Sequence, residues 1–399
     1  MRTQPATMRI GYDTLIEDPL KPSSAIDFLR RHLVALSSAG PTCQFYVFVS
    51  PKNRDFFYFE APNVIFVNCF VSNECIPLRI AVQQFYYPIL ARRLRLDVMF
   101  GLNQLPILCG CPTVVKTCTV HHRVTPENFL DSRDGGHFNR LRLVYRRFMF
   151  DISARRASIV MANSKATQEV IRTTMRVPAK NIEVVYEAVD TAFGERPPSA
   201  ASSEITLQLG LRSAFILYVS TLWHYKNPDG AIRAFARQKE KYNDDLDLAL
   251  VGSDDFGIKP DLERLAHSLG VGDRVHFLGK LPQEKLLQLF GKARMLFYPS
   301  RAETFGKPLV EAMLASLPIV AARATCLPEI LAGAGLLAAP DDPEEMAEAL
   351  HRAHTDEALR SELIAKGHVR ARDFSWEKTA SGTLECCRKA VQKTVRITL

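Results

Sequence analysis

The chain has 399 residues, 47% hydrophobic and 24% charged, with nine cysteines and a net charge of +8. That length is too great for one ordinary domain and comfortable for two. The composition is globular, and no apolar run approaches the roughly 18–20 residues needed to span a bilayer.

The first residues, Met1-Arg2-Thr3-Gln4-Pro5-Ala6-Thr7-Met8-Arg9, lack the apolar core of a signal peptide, so a cytoplasmic location is expected. Predicted strands in the first half are Met8–Tyr12, Gln44–Ser50, Val64–Asn68, Asp97–Phe100, Thr113–Lys116 and Ser158–Met161. Each is short, apolar and closed by polar or turn residues, as buried parallel strands are. Helices are predicted near 25–38, 78–95 and 138–156, and Ser164 reads as the N-cap of a helix through Met175. Residues 196–204, Arg-Pro-Pro-Ser-Ala-Ala-Ser-Ser-Glu, have the make-up of a connecting segment. A second series of predicted strands follows: Phe215–Val219, Leu246–Val251, Arg274–Leu278, Arg294–Tyr298 and Pro318–Ala322. Its helices are predicted near 228–241, 259–269, 283–291, 308–316 and 343–355, with a final one near 376–393. Repeated βα units predict parallel sheets covered by helices on both faces, with ligands bound at the carboxyl ends of the strands.

Charge is uneven along this plan. Residues 1–195 hold 24 Lys and Arg against 17 Asp and Glu, while the remainder holds 27 against 26. The basic excess of the first half suits an anionic acceptor or an anionic leaflet at the inner face of a membrane, and equally suits solvated helix faces. Nucleic acid is not an expected partner, because no recognised binding motif accompanies the arginines. The cysteines are odd in number and irregularly spaced, so reduced, mostly buried thiols are expected. Cys109, Cys111 and Cys118 lie near His121 and His122, but no second ligand pair stands at zinc-finger spacing.

The most informative stretch is Ser300-Arg301-Ala302-Glu303-Thr304-Phe305-Gly306-Lys307-Pro308-Leu309-Val310-Glu311-Ala312-Met313, directly after the apolar run Met295–Tyr298. One glutamate sits in a loop. The second is eight positions on, inside a helix that Pro308 opens, since proline is favoured at the first helical position. Gly306 lets backbone approach a ligand. The helix N-terminus offers unpaired N–H groups and a partial positive charge, and helical side chains lean toward it, so Glu311 points back at an anion held there. An anion site flanked by two carboxylates suits a ligand that is both phosphorylated and rich in hydroxyls. Two glutamates eight apart are common on surface helices by chance; the full pattern S-x-x-E-x-F-G-x-P-x-x-E-A is far more specific. Lys226, after a strand and just before a helix, is placed to neutralise a pyrophosphate. Gly252 ends a strand with a flexible loop, a weak sign of approach to a nucleotide.

That pattern closely resembles the E-x(7)-E segment of the retaining glycosyltransferases of family 4 (glycosyl transferases group 1), which have the GT-B fold. Tyr218-Val219-Ser220-Thr221-Leu222-Trp223-His224-Tyr225-Lys226-Asn227 resembles the family loop carrying the diphosphate-binding lysine. Thr221 stands where many members have arginine, and Ser220 where glycine is usual. Thr119-Val120-His121-His122 is similar to the T-x-H-D motif, whose histidine reaches the donor sugar; His122 replaces the aspartate. Val160-Met161-Ala162-Asn163-Ser164 resembles a family helix start. Ile182–Asp190 resembles the segment before the linker, with Ala188 where glycine is usual. The glycine-rich first loop is absent, and Glu17-Asp18-Pro19-Leu20-Lys21-Pro22-Ser23 stands instead.

The resemblance implies an α/β chain of two Rossmann-like doubly wound domains facing each other across a cleft. An acceptor-binding domain over 1–195 and a sugar-nucleotide-binding domain over 205–375 are expected, with 376–399 crossing back to the first. Glu303, Lys226 and His121 are the implied catalytic residues; Thr221, Gly252, Phe305, Gly306, Lys307, Pro308, Leu309 and Glu311 are the implied donor-binding residues. The implied substrates are a nucleoside-diphosphate sugar (GDP-mannose or UDP-glucose) and a hydroxylated acceptor such as a lipid-linked oligosaccharide or glycan. No cofactor or metal is expected, because Lys226 and the helix dipole replace it and no D-x-D motif is convincingly placed; Asp341-Asp342 reads as a loop before a helix. The competing expectations are an epimerase or phosphorylase of the same fold, and a non-catalytic sugar-nucleotide-binding subunit of a polysaccharide assembly complex. A dinucleotide dehydrogenase is disfavoured, since no G-x-G-x-x-G follows the first strand of either series.

Overall fold

The computed structural model describes residues 7–15, 24–71, 78, 81–102, 111–117, 148–195, 205–212 and 214–398. They fall into two units. One holds the described residues through Ala188 together with those from Ser375 onward; the other runs from Val189 to Phe374. The chain therefore changes unit at Ala188, seven residues before the boundary expected at 195, and the C-terminal stretch belongs with the first unit. His121 and His122, the segment Glu17–Ser23 and the first part of the helix expected at 138–156 lie outside the described residues.

In the first unit, β1 (Arg9–Asp13), β2 (Gln44–Val49), β3 (Val64–Asn68), β4 (Val98–Leu102), β5 (Thr113–Thr117), β6 (Ile159–Ala162) and β7 (Ile182–Val184) form one parallel sheet, ordered β3-β2-β1-β4-β5-β6-β7. The helices Ser24–Ala39 and Trp376–Thr398 share a core with it. Leu29, Leu33 and Leu36 of the former are buried in one cluster with Ala380, Leu384 and Ala390 of the latter and with Ile10, Phe45 and Phe100 of the strands. A polar pair is embedded beside this core. The Lys116 ammonium on β5 lies 3.2 Å from Glu187 and 3.3 Å from the centre of the Phe28 ring, and Asn163 Nδ2 donates to Glu187 Oε1 at 3.1 Å. Ser164 caps the helix Lys165–Thr174 by accepting from the Thr167 N–H.

The second unit repeats the design. Its strands β8 (Phe215–Val219), β9 (Asp247–Val251), β10 (Val275–Gly279), β11 (Met295–Tyr298), β12 (Ile319–Ala322) and β13 (Leu336–Ala338) form a parallel sheet ordered β10-β9-β8-β11-β12-β13. The strand order reverses between β8 and β11, and the carboxyl ends flanking such a reversal are where open α/β sheets bind ligands. Asp342 caps the helix Pro343–Thr355 by accepting from the N–H groups of Glu344 and Glu345.

Three local expectations need correction. The helix expected over 78–95 is a wide π turn at Val82–Tyr86 followed by an α-helix at Tyr87–Arg93. Pro88 has no N–H to give the carbonyl four residues back, and the wider turn absorbs that loss. The helix after Gly306 begins at Lys307, one residue before Pro308. Two short strands, β7 and β13, and the helices Leu327–Leu331 and Glu357–Ala371 were not expected. Three residues are too few to show a period of two, and the helix Glu357–Ala371 is only weakly amphipathic. Among the described residues, no helix is long and apolar enough to cross a membrane.

Candidate functional site

The loops leaving β8 and β11 are fastened together by their own backbone. Arg301 N donates to the Tyr225 carbonyl at 2.8 Å, and the Ser300 hydroxyl reaches the same carbonyl at 3.3 Å. Asn227 completes the fastening. It is fully buried, adopts a left-handed φ of 62° and accepts from the Gly230 N–H at 3.1 Å as the N-cap of the helix Pro228–Tyr242. Its Nδ2 donates to the carbonyls of Pro299 (3.0 Å) and Pro340 (2.7 Å), joining the ends of three strands. Gly230 is obligatory here, because a Cβ would fall 2.2 Å from Asn227 Oδ1.

This fastening brings Lys226 and Glu303 together from 77 residues apart. Lys226 Nζ donates to Glu303 Oε1 at 2.5 Å, with the two side chains only 13% and 5% exposed. Tyr298, the last residue of β11, donates its hydroxyl to the same oxygen at 2.6 Å. The Glu303 N–H donates to Thr325 Oγ1 at 3.0 Å. Tyr218 supports the other partner by donating to the Lys226 carbonyl at 3.2 Å, and the lysine ammonium lies 5.0 Å from the Tyr225 ring centre. Burial works against the lysine charge, but Glu303 and Tyr225 more than offset it and hold the ammonium above the usual lysine range. Burial, reinforced by Glu303, pushes the Tyr298 phenol well above its usual value, so it stays a donor.

Eight residues beyond Glu303, Glu311 lies one turn into the helix Lys307–Leu314. Burial lifts its carboxyl to about 7; Lys307 opposes the rise and Asp190 adds to it. Gly306 precedes the helix with φ 86° and offers no side-chain cap, and a Cβ there would meet Leu327 Cδ2 at 3.0 Å. The helix N-terminus therefore opens on the loop that carries Glu303.

The remaining implied donor-binding residues divide into two kinds. Thr221, Lys307 and Pro308 are half-buried. Phe305 and Leu309 have core side chains: Phe305 stands edge-on to Phe374 with centroids 5.5 Å apart, and Leu309 is fully buried. Only their main chain can meet a ligand, and the Leu309 N–H is already given to the Gly306 carbonyl at 3.0 Å. Gly252 is bare for the protein's own sake. With φ 156° its Cα presses on Ser220, whose carbonyl oxygen would lie 1.8 Å from an added Cβ. Tyr298, Tyr218, Asn227 and Thr325 escaped the sequence argument as site residues. Asn227-Pro228 carries a helix-start signature that would have located the first fastening; a tyrosine closing an apolar strand is a weaker signal.

Residues 206–370 match the glycosyl transferases group 1, and residues 29–193 match glycosyltransferase family 4. The chain belongs to these glycosyltransferases. It is similar to O-antigen chain mannosyltransferase B of Escherichia coli, 27% identical over 57% of this chain and 60% of that protein. It is also similar to the D-inositol 3-phosphate glycosyltransferase of Thermobifida fusca, 33% identical over 53% of this chain and 50% of that one. The chain thus spans 50–60% of the length of these relatives. Against the O-antigen chain mannosyltransferase RfbU of Salmonella typhimurium the match is 26% identical and covers 76% and 80% of the two chains. Among solved structures, sucrose-phosphate synthase from Thermosynechococcus elongatus aligns over 96% of this chain and 98% of its own, with a TM-score of 0.73 and 19% identity. Anabaena HepE in complex with UDP and glucose aligns over 95% and 98%, with a TM-score of 0.69 and 22% identity. At those identities the likeness is one of fold, the GT-B fold.

Proposed function

We propose that this protein is a retaining glycosyltransferase that moves a hexose from a nucleoside-diphosphate sugar to a hydroxyl of a cell-surface glycan or glycolipid precursor. The observation that carries the proposal is the buried Lys226–Glu303 pair beside an uncapped helix N-terminus, where the strand order reverses. A cation and a helix end together suit a departing diphosphate, and a carboxylate next to them suits sugar hydroxyls. Mannosyltransferases among the relatives make mannose the leading donor sugar; a UDP complex among the structural neighbours keeps UDP-glucose as the other candidate.

In this mechanism the bond from the anomeric carbon to the β-phosphate oxygen breaks as the acceptor oxygen bonds the same face of that carbon. The acceptor proton passes to the leaving phosphate. Lys226 and the helix end stabilise the charge growing on the diphosphate, an interaction that strengthens in the transition state and so accelerates the step. Glu303 orients sugar hydroxyls, Glu311 accepts from the ribose, and His121 contacts the donor sugar. The cationic groups take the role of a metal, so none is required. The basic first half of the chain would hold the protein at an anionic inner membrane face while acceptors are presented.

A panel of sugar nucleotides in a thermal-shift assay identifies the donor, since a ligand bound only to the folded form raises apparent stability. Purified protein given that donor and glycan acceptors is expected to form glycoside with the donor's anomeric configuration, and Lys226→Ala or Glu303→Ala to abolish transfer. Full transfer by either variant refutes this site.

A further inference from the structure

Tyr298 closes β11 inside the core of the second unit. Met295, Leu296 and Phe297 before it are fully buried, and Tyr298 itself is 3% exposed. A phenylalanine would fill that position without taking a hydroxyl out of water, and a buried hydroxyl costs free energy unless it is hydrogen-bonded. Among the described residues the Tyr298 hydroxyl makes one hydrogen bond, to Glu303 Oε1 at 2.6 Å. One carboxylate oxygen therefore accounts for the polar atom, and nothing else in the strand does.

That oxygen is held from a second side. Lys226 Nζ, on the turn after β8, donates to it at 2.5 Å. A carboxylate gripped at one oxygen by donors from two elements cannot rotate about its last bond without breaking both. The main chain of the same glutamate is held from a third element, since its N–H donates to Thr325 Oγ1 at 3.0 Å in the loop after β12. Thr325 serves at φ 47°, a left-handed conformation that β-branched residues rarely adopt. Three strand ends thus converge on Glu303. Of the two donors on its side chain, the lysine has a second task in the proposed reaction, at the departing diphosphate. When the ammonium turns to a phosphate, Tyr298 is the donor that stays on the carboxylate.

We infer that Tyr298 is a positioning residue for the transfer step: its hydroxyl keeps the Glu303 carboxylate aimed at the donor sugar while Lys226 serves the diphosphate. The inference rests on the donor-site assignment above and deepens it. Tyr298 touches no substrate in this reading and acts only through Glu303.

Tyr298→Phe in the full chain tests it, with initial rates measured on the sugar nucleotide that the parent protein uses. kcat is expected to fall roughly ten- to a hundredfold, the worth of one hydrogen bond to a charged group, with the donor KM changed much less. Calorimetry with the matching nucleoside diphosphate, which lacks the sugar, should give an affinity within about twofold of the parent's. A scaffold role would not leave that affinity intact while the rate falls. Full kcat in Tyr298→Phe, whether or not KM rises, overturns the inference. So does a Tyr298→Phe protein that fails to fold or loses nucleoside diphosphate affinity in step with its rate, because the hydroxyl then belongs to the scaffold. A parent protein that transfers sugar from no nucleotide donor removes the donor reading itself, whereas a parent that transfers no faster than Tyr298→Phe removes only this inference.

Discussion

Removing the lysine of the buried pair separates scaffold from chemistry. In Lys226→Met the Glu303 carboxylate keeps the Tyr298 hydroxyl but loses its cation at 2.5 Å, inside a site where its side chain is 5% exposed. Breaking a buried pair from one side typically costs 3–5 kcal/mol; the retained hydrogen bond places this case near ~3 kcal/mol. For a unit of this size that is a fall in melting temperature of about 6–12 °C. Glu303→Gln alone should cost less, since a neutral amide still accepts from Tyr298. The double variant should be more stable than the sum of the single losses by about 2 kcal/mol. Urea unfolding reports this if Trp376 is first changed to Phe, leaving Trp223, three residues before Lys226, as the probe of the second unit; the chain has two tryptophans. Additivity within about 0.5 kcal/mol would show that Lys226 and Glu303 do not depend on each other, and the pair could not then be the organising element of the site.

Glu311 titrates at about 7 in the fold against an ordinary 4.5, so the folded state holds its proton longer. Stability should therefore fall as pH rises from about 4.5 to 7 and level off above, by about 1–2 kcal/mol once solvent at this half-buried residue is allowed for, and Glu311→Gln should flatten the decline. Gly252→Ala forces a Cβ to 1.8 Å from the Ser220 carbonyl oxygen, and a loss of at least about 2 kcal/mol is expected in thermal unfolding. Lys116→Met strands Glu187 in the first unit and should cost about 3–5 kcal/mol, read by urea unfolding at Trp376; Lys116→Met with Glu187→Leu should recover most of it.

Most strands were legible because each is a short apolar run with a polar close, and β8 to β12 appear within a residue or two of their expected bounds. What stayed hidden follows from length and from tertiary contact. β7 and β13 are three residues each, too brief for a pattern. The spacing of Glu303 and Glu311 announced a site, but nothing local announces that Lys226 lies against Glu303, since that contact depends on the sheet order placing β8 beside β11. The amide bonds of Asn227 to Pro299 and Pro340 are of the same kind: they span 72 and 113 residues and exist only once three strand ends converge. Phe305, Leu309 and Gly252 have packing roles that sequence alone could not separate from ligand contact, because packing and ligand binding both favour apolar and glycine residues at strand ends.

The cost of these choices is informative in itself. A buried lysine, a left-handed asparagine and a left-handed threonine at 325 would each weaken an isolated loop, yet all three have internal explanations. Glu303 answers the lysine, the amide of Asn227 closes three strand ends, and the Thr325 hydroxyl accepts the Glu303 N–H. The fold can account for them. It accounts less readily for a carboxyl that burial drives toward neutrality one turn into the helix Lys307–Leu314. That carboxyl stands on the helix that begins where Glu303's loop ends. Strain that packing explains marks how a site is built, whereas strain that packing leaves over marks what the site is for. On that criterion the proposed donor site has to explain Glu311 as much as the Lys226–Glu303 pair.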